Sequence, residues 1–451
     1  MHDRFRVELQ ERRRKLSEIL GATAALEKGD ALLLFSAPVY VRNGDVEHNY
    51  RQHSDFYYLT GFEEPEAALL LFADEPHFIL FVRERDREKE IWDGRRAGTE
   101  GAVDIYGATK AHSITELAQI LPEYLKNRRR LHYLFGEEPA WDRTVFDAVA
   151  AVRRLRKQRV TAPTELIDAR SLVHEARLLK SEYEQEKMSE VAALSAGAHA
   201  HAMCICQPGR NEWDLASGID AYFRKGGARR AAYGSIVGSG KNGTILHYHE
   251  NESEMVDGSL VLIDAGAEKD YLAADITRTF PVNGKFSEVQ KRLYEIVLRA
   301  QLVAIDKACV GNSMEDVHNA AVETLTQGLI AEGLMSEIDL NDEKSVTARL
   351  RHFYMHQTSH YIGMDVHDVG AYHQEGQLRS LEATMVITVE PGLYIAADDD
   401  TVPVAYRGIG IRIEDDILIT AAGPKNLSIG APKTVAEIEA AFKARSTRVL
   451  A

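Results

Sequence analysis

The sequence is short of cysteine and has no long apolar run, and both absences bear on where the protein works. Three cysteines in 451 residues are too few for a disulfide framework, and the pair Cys204 and Cys206 is expected in the core. No uncharged segment is long enough to span a bilayer, and the N-terminus begins with charged residues instead of a signal-peptide apolar stretch. We therefore expect a protein of the reducing cytoplasm with no membrane partner.

An excess of positive charge is also lacking. The chain carries 54 Lys and Arg against 69 Asp and Glu, which gives a formal net charge of −15. A chain that covers nucleic acid phosphates needs the opposite balance of charge. Nucleic acid is therefore not expected among its partners.

Length and composition fit a globular protein of two domains. The chain has 451 residues, of which 45% are hydrophobic, and it shows no special bias. Strand-like and helical stretches alternate up to about residue 170, which predicts an α/β domain. A capping box then begins at Ser181, is completed by Glu184, and introduces a long Ala-rich helical pattern. We predict one domain over residues 1–175 and a second over residues 176–451.

Two aspartates, Asp264 and Asp275, flank a predicted hairpin in the second domain. If residues 260–263 and 276–282 are strands, a hairpin centred on residues 269–270 sets the two carboxylates directly opposite. Carboxylates that face each other repel unless protons or cations lie between them. The pair therefore indicates a metal site.

Later apolar segments supply three more ligands of the right kind, His360, Glu390 and Glu414. Four carboxylates carry about four negative charges, enough to neutralise roughly two divalent ions. A single tetrahedral zinc usually takes fewer or softer ligands. The pattern favours two hard cations.

The segment 408–420 adds an arginine to this group. Its apolar residues alternate with Gly410, Arg412 and Glu414, so Arg412 is expected on the same strand face as Glu414. Two glycines and no bulky group on that face leave space for something bound. The alternative is a surface strand held by salt bridges.

Two familiar motifs fit poorly. His356 and His360 are four residues apart, but the glutamate of the HExxH motif is missing, so zincin chemistry is not indicated. Only one of the two needs to bind metal, and a structural role is equally open for His356 and His249. Residues 238–243 match GxGxxG, yet no helix start follows, so a nucleotide site is not expected.

Beyond these residues, the chain resembles a known family over nearly its whole length, with motifs in matching order and spacing. It is similar to bacterial Xaa-Pro aminopeptidases, the aminopeptidase P group. The resemblance lies in YRQHSDFYYLTGFEEPEA at 50–67, EIWDGRR at 90–96, ILHY at 245–248 with Glu252, LVLIDAGAE and ADITRTFPVNG within 260–284, MHQTSHYIGMDVHDVG at 355–370, TVEPGLYI at 388–395 and YRGIGIRIEDDILIT at 406–420. It implies a creatinase-like α/β N-terminal domain followed by an α+β pita-bread catalytic domain.

The resemblance also implies roles for the metal ligands. Asp264 would chelate one ion, Asp275 and Glu414 would bridge both ions, and His360 and Glu390 would complete the second. Mn²⁺ is the expected ion, with Co²⁺, Zn²⁺ and Fe²⁺ as alternatives. A hydroxide bridging two such ions can attack a peptide carbonyl at neutral pH.

Further roles follow for residues around the ions. Glu390 would also act as general base, and Arg412 would orient the surroundings of Glu414. His247 and His367 would bind substrate and stabilise the tetrahedral intermediate or relay its proton. Substrate binding is also implied for the side chains of His356, Tyr394, Asp45 and Trp92. The last two would help form the substrate entrance, in a homo-oligomer of two or four subunits.

The implied substrates are peptides with proline at the second position. Three alternatives stay open: a prolidase that cuts only Xaa-Pro dipeptides, a methionine aminopeptidase, and a non-catalytic pita-bread domain that binds peptides. The chain departs from the family at Gln357, where glycine is usual, and at Ala383-Thr384, where Pro-Gly is common. Neither departure touches a ligand, but both affect loop shape.

Overall fold

The computed structural model describes residues 3–21, 29–74, 77–336 and 343–448. The chain divides into two compact units, Met1–Arg177 and Leu178–Ala451. Each unit has its own sheets and its own buried core.

The first unit contains one mixed sheet with helices on it. Its helices are α1 (Asp3–Gly21), α2 (Ser54–Thr60), α3 (Arg87–Asp93), α4 (Gly98–Asp104), α5 (Leu117–Leu125), α6 (Pro139–Arg154) and α7 (Arg170–Leu178). Its strands are β1 (Ala31–Phe35), β2 (Val41–Asn43), β3 (Val46–Glu47), β4 (Ala68–Phe72), β5 (Phe78–Val82), β6 (Lys110–Ser113), β7 (Arg130–Tyr133) and β8 (Glu165–Asp168). Six of these strands form the mixed sheet, in the order β6-β5-β4-β1-β7-β8. Strands β2 and β3 pair with each other in a separate two-stranded sheet.

Continuous apolar runs explain why this sheet is central. Strands β1, β4 and β5 are buried along their whole length, as expected of strands covered on both faces. Leu33 and Leu70 from the sheet pack in one cluster with Leu121 of α5 and Val149 of α6. The predicted α/β character of this region is therefore confirmed.

The second unit is built from long helices and several short antiparallel sheets. Its helices are α8 (Glu182–Ile205), α9 (Glu212–Lys225), α10 (Glu288–Lys307), α11 (Met314–Ala331), α12 (Glu343–Leu350) and α13 (Val435–Arg448). Its strands are β9 (Arg230–Ala231), β10 (Ile236–Ser239), β11 (Leu260–Asp264), β12 (Ala267–Lys269), β13 (Leu272–Ala273), β14 (Thr277–Pro281), β15 (His373–Gln374), β16 (Gln377–Leu378), β17 (Val386–Val389), β18 (Gly392–Ile395), β19 (Ile409–Arg412), β20 (Asp415–Thr420) and β21 (Gly423–Asn426).

Local sequence signals set the start of α8 and the packing of the core. The Ser181 hydroxyl accepts from the Glu184 amide at 3.2 Å and the Glu184 carboxylate accepts from the Ser181 amide at 3.0 Å, so the predicted capping box is present. Helices α10 and α11 cover the sheet β17-β20-β21, with Ala321 of α11 packed in the same cluster as Ile387 and Ile417. The unit is α+β, as predicted.

The pairing of the two aspartates differs from the predicted register. Asp264 lies opposite Thr277, and Asp275 precedes the paired part of β14. The reason is the turn, because the chain reverses at Asp270 and Tyr271, whose φ values of 54° and 64° suit a two-residue hairpin loop. The predicted direct opposition was therefore wrong by two positions. A shift of two keeps both side chains on one face, since the side-chain period of a strand is two.

Two smaller expectations are also corrected. The segment 408–420 is not one strand but two, β19 and β20, and both are buried, so the surface-strand alternative is excluded. Cys206 is buried as expected, but Cys204 is exposed, and all three cysteines are free thiols. Among the described residues, no helix is both long and apolar enough to cross a membrane.

Candidate metal centre

The five predicted metal ligands line one cavity of about 440 Å³ in the second unit. Four other predicted site residues line it too: His247, His356, His367 and Arg412. The remaining lining residues are Leu246, Gln357, Ser359 and Tyr372.

A tyrosine that the sequence analysis missed joins the two aspartates. The Tyr233 hydroxyl lies 2.6 Å from Asp264 Oδ1 and 2.5 Å from Asp275 Oδ1. Burial and the two carboxylates hold the pKa of Tyr233 well above its usual value. A phenol has one hydrogen and can donate to only one oxygen at a time. The arrangement therefore leaves one carboxylate oxygen in need of a proton or a cation.

His360 presents one ring nitrogen to the acidic residues. Its Nδ1 lies 3.0 Å from the Tyr361 carbonyl oxygen, which can only accept, so Nδ1 carries the hydrogen. Its Nε2 lies 3.4 Å from Asp275 Oδ2 and 3.7 Å from Glu390 Oε1. Potential ligand atoms of Asp275, His360 and Glu414 all lie within 4.8 Å of one another. This tautomer is the one that binds metal through Nε2.

The two glutamates lie where strands end. Glu390 follows β17, and its amide donates to the Thr358 carbonyl at 2.8 Å. Glu414 follows β19, and its Oε2 accepts from the Thr277 hydroxyl at 2.7 Å. Burial raises the pKa of Glu390 to about 7, and burial followed by repulsion from Asp275 raises that of Glu414 well above its usual value. Both carboxylates therefore lie in a place that disfavours their charge in the absence of a cation.

One arginine places a permanent positive charge beside the carboxylates. Arg412 donates to Asp264 Oδ2 at 2.7 Å, to the Tyr394 hydroxyl at 3.0 Å and to the Thr277 hydroxyl at 3.1 Å. Burial opposes its charge, but Tyr394, Asp264 and Glu414 together hold its pKa well above the ordinary value. Arg412 thus contacts Glu414 through Thr277 and not directly.

The residues fit divalent cations by their chemistry and by their charge. Asp264, Asp275, Glu390 and Glu414 are four carboxylates, and Arg412 can balance only one of them. Burial, followed by the charge of Asp275, raises the pKa of Asp264 as well. Buried charges without partners are costly, and hard oxygen ligands suit hard cations. The donor set therefore matches a divalent-ion centre.

Two other histidines, His367 and His356, lie beside the proposed ligands. The His367 ring packs edge-on against His360, with centroids 4.5 Å apart, and burial lowers its pKa. His356 Nδ1 lies 2.8 Å from the Gln357 carbonyl, so its Nε2 accepts from the Tyr394 hydroxyl at 2.8 Å. Burial, then the charge of Arg412, lowers the pKa of His356 to about 3, so this ring stays neutral.

Asp45 and Trp92 are not among the residues that line the cavity. Both belong to the first unit, Asp45 in the exposed loop between β2 and β3 and Trp92 on α3, where it is 87% exposed. The cavity is lined by residues of the second unit. Their role at a substrate entrance stays a prediction.

Tyr233 and Thr277 are the contacts that sequence reasoning missed. Tyr233 lies just after β9 and touches Asp264, 31 positions further along the chain. Thr277 touches Glu414 across 137 positions. The hydroxyl of Thr277 follows Asp275 by two residues on the same strand face, and that spacing is the signal that could have identified it.

Comparison with known proteins agrees with this geometry. The model of metallopeptidase family M24 matches residues 186–421, and the model of the aminopeptidase P N-terminal domain matches residues 9–133. Xaa-Pro aminopeptidase of Escherichia coli strain K12 is 44% identical over 98% of both chains. Human Xaa-Pro aminopeptidase 3 is 32% identical over 96% of this chain and 85% of its own. The structure of Pseudomonas aeruginosa aminopeptidase PepP superposes with a TM-score of 0.93 at 45% identity, covering 98% of this chain and 99% of that one.

Proposed function

The chain belongs to metallopeptidase family M24, and from this membership we propose that it works as an Xaa-Pro aminopeptidase. It hydrolyses the bond between an N-terminal residue and a following proline. The predicted resemblance to bacterial Xaa-Pro aminopeptidases is confirmed, and so is the predicted fold, an aminopeptidase P N-terminal domain followed by a pita-bread catalytic domain. The observation that carries the proposal is the complete carboxylate and histidine set in one cavity.

The ligand assignment is part of the proposal. Asp264, Asp275, His360, Glu390 and Glu414 hold two divalent ions, with Mn²⁺ the expected species. When bound, such ions polarise the scissile carbonyl and lower the pKa of water enough to supply a nucleophile at neutral pH. The support for this assignment is the group of buried carboxylates and the orientation of His360, whose Nδ1 bond to the Tyr361 carbonyl directs Nε2 towards Asp275 and Glu390.

The chain's own groups handle the proton and the substrate. Glu390 accepts the proton as general base, since its carboxylate lines the cavity next to the His360 ring. His247 and His367 face the cavity and contact the reacting carbonyl as it gains negative charge. Arg412 and His356 hold the Tyr394 hydroxyl between them, so the phenol is fixed behind two residues that line the cavity.

Selectivity for proline has a physical basis at the scissile bond. The imide nitrogen of proline carries no hydrogen, so a site that required this donor would reject such peptides. A site that accepts them must take its binding contacts from other atoms, such as the free amino group and the flanking carbonyls. Peptides with proline second are therefore the proposed substrates.

Oligomeric state and location are proposals as well. We infer a dimer or tetramer in which Asp45 and Trp92 line the substrate entrance. The support is the large exposed indole of Trp92, which an aqueous surface disfavours. A Trp92→Ala variant should change the preference between tripeptides and longer peptides, and the active enzyme should sediment as an oligomer. An unchanged peptide preference in Trp92→Ala, together with an active enzyme that sediments as a monomer, would contradict the proposed entrance.

A cytoplasmic location stays a prediction that is compatible with three free thiols.

The main test compares substrates after metal loading. An Xaa-Pro-Xaa tripeptide should be cut, its Xaa-Ala-Xaa counterpart should not, and chelation should abolish hydrolysis. Cleavage of Xaa-Pro dipeptides alone would favour the prolidase alternative, and no cleavage of either would favour the binding domain. Metal analysis should find two divalent ions per chain.

A matched pair of variants completes this test. Asp275→Asn should lose metal and activity, whereas Asp398→Asn, in an exposed acidic loop, should lose neither. Full activity in Asp275→Asn, or only trace metal in active protein, would overturn the ligand assignment.

A further inference from the structure

Glu212 is a fully buried carboxylate outside the cavity. Its side chain is held by five hydrogen bonds. Oε1 accepts from the Ser239 amide at 2.7 Å, the Ser239 hydroxyl at 2.9 Å and the Asn242 amide group at 3.0 Å, and Oε2 accepts from the Tyr248 hydroxyl and the Ser253 amide, each at 2.9 Å. The structure gives this side chain no ion pair with any residue in the described ranges. Its desolvation is offset by these donors alone.

All five donors come from one stretch, residues 239–253, which we call the 239–253 loop. Glu212 is the first residue of α9, and a helix cap would be the ordinary role for a carboxylate there. That role is already filled, because Asn211 and Asp214 form the capping box of α9. Glu212 therefore holds the loop and not its own helix.

The 239–253 loop carries His247 into the cavity. The His247 ring is exposed, and no hydrogen bond to it is present in the part of the chain that the structure describes; its aromatic neighbour is His249, with centroids 6.5 Å apart. The position of this ring is thus set by the backbone on both sides of it. Asn242, which precedes the ring by five residues, and Tyr248, which directly follows it, both bond to Glu212.

The same loop also packs against the strand that carries Arg412. A Cβ on Gly410 of β19 would lie 1.9 Å from the Gly243 carbonyl oxygen, so the two backbones touch where neither residue has a side chain. A second anchor, the hydrogen bonds of Asn251 to Val237 and Ser235, holds the distal end of the loop. Loss of Glu212 would therefore loosen the segment around His247 without releasing the whole loop.

We propose that Glu212 is a positioning residue for His247, acting through the buried hydrogen bonds that hold the 239–253 loop. This rests on the proposed function for the part that concerns catalysis. Glu212 does not line the cavity, and its side-chain hydrogen bonds go to the loop and to none of the proposed metal ligands, so its effect on the reaction passes through the placement of the His247 ring. A displacement of about 1 Å in such a group can reduce activity on the order of 100-fold.

The test replaces the carboxylate by its neutral isostere. Glu212→Gln keeps the shape but turns one acceptor into a donor that faces donors. We expect kcat/KM on an Xaa-Pro-Xaa tripeptide to fall at least tenfold with metal content unchanged. In a His247→Ala background the same substitution should have almost no further effect. Once the His247 ring is absent, its position can no longer be disturbed by the loss of the Glu212 carboxylate. Equal fold-losses in both backgrounds would overturn the proposal.

Two further variants separate positioning from general stability. Tyr248→Phe removes one donor and should show a smaller loss of kcat/KM that also vanishes in the His247→Ala background; a loss that persists there would contradict the proposal. Glu184→Gln removes another buried carboxylate, in the capping box of α8, and should lower the melting temperature without changing kcat/KM.

An independent measurement uses metal-free protein labelled with ¹³C-histidine. The His247 ring signal, assigned with His247→Ala, should shift or broaden in Glu212→Gln and stay unchanged in Glu184→Gln. An unchanged His247 signal in Glu212→Gln overturns the proposal. This result does not depend on hydrolysis, so failure of the proposed function and failure of this inference are distinguishable.

Discussion

The Arg412 guanidinium donates to Asp264 Oδ2 at 2.7 Å, and this pair joins β19 to the end of β11 across 148 positions of the chain. The same guanidinium also donates to Tyr394 and Thr277. One planar group therefore sets the positions of three side chains around the metal centre, which a flexible ammonium group cannot do.

Arg412→Lys should consequently impair catalysis although the charge is kept. Lysine cannot reach all three partners at once, so Asp264 and Tyr394 are no longer held in position by the same side chain. We expect kcat/KM to fall about 100-fold, measured on an Xaa-Pro-Xaa tripeptide at saturating metal. Arg407→Lys is the matched control, because Arg407 donates to the Val402 carbonyl and does not line the cavity. Equal activity of Arg412→Lys and the wild type would show that charge alone suffices there.

Alanine substitutions at His360 and His367 should have different effects on metal content. His360 offers Nε2 to the acidic residues, so His360→Ala should lose bound metal and, with it, activity. His367 packs against that ring from outside the ligand set, so His367→Ala should keep its metal and lose turnover by about ten- to ten-thousand-fold. Metal analysis beside kcat checks both. If His367→Ala lost the metal and His360→Ala kept it, the two assignments would be exchanged.

Thr384 occupies a position that favours glycine. Residues 382–385 form a turn closed by a hydrogen bond of 3.2 Å from the Met385 amide to the Glu382 carbonyl, and Thr384 has a φ of 77°. A positive φ at the third position of such a turn is the type II geometry, for which Pro-Gly is the favoured central pair. The turn is thus kept in this chain, although Ala383-Thr384 stands where the family commonly has Pro-Gly.

Thr384→Gly should therefore stabilise the protein. Relief of a β-branched residue at positive φ outweighs the entropy that glycine adds to the unfolded chain, for a net gain of about 1 kcal/mol. Ala383→Gly is the control next to it. Its φ is not positive, so glycine there should cost about 0.5 kcal/mol or more. Chemical denaturation measures both, and equal signs for the two changes would contradict the turn assignment.

His199 should make stability depend on pH. Burial lowers its pKa to about 4 in the folded protein, where its Nε2 lies 3.0 Å from the Ala265 carbonyl. In the unfolded chain a histidine has a pKa of about 6.5. Between these values the unfolded state binds a proton that the folded state refuses, so stability falls as pH falls from about 6.5 towards 4.

The measurement compares unfolding free energies at pH 7.5 and pH 5 in the presence of a chelator. His199→Gln can still donate to Ala265 but cannot take up a proton, so its loss over this range should be about 2 kcal/mol smaller than that of the wild type. His373→Gln, at an exposed position, should leave the dependence unchanged. A wild-type slope shared by His199→Gln would assign the effect to other groups.

Much of the fold was predictable because its signals are local. The apolar run of β1 and the capping box at Ser181 and Glu184 each depend on neighbouring residues, and both are confirmed. The family was predictable for the same reason, since its motifs are short segments in a fixed order. The candidate ligands Asp264 and Glu414 followed from residue type and spacing, and the structure brings them into one cavity.

The sequence by itself determined which side chains are available for the site, because residue type and strand periodicity depend only on neighbouring positions in the chain. Only the tertiary structure decided how they meet. The turn at Asp270 and Tyr271 set the register two positions away from the predicted one. The contact of Tyr233 with Asp264 and Asp275 depends on chain segments 31 and 42 positions apart. Such contacts arise from packing between strands, and no spacing within a single segment encodes them.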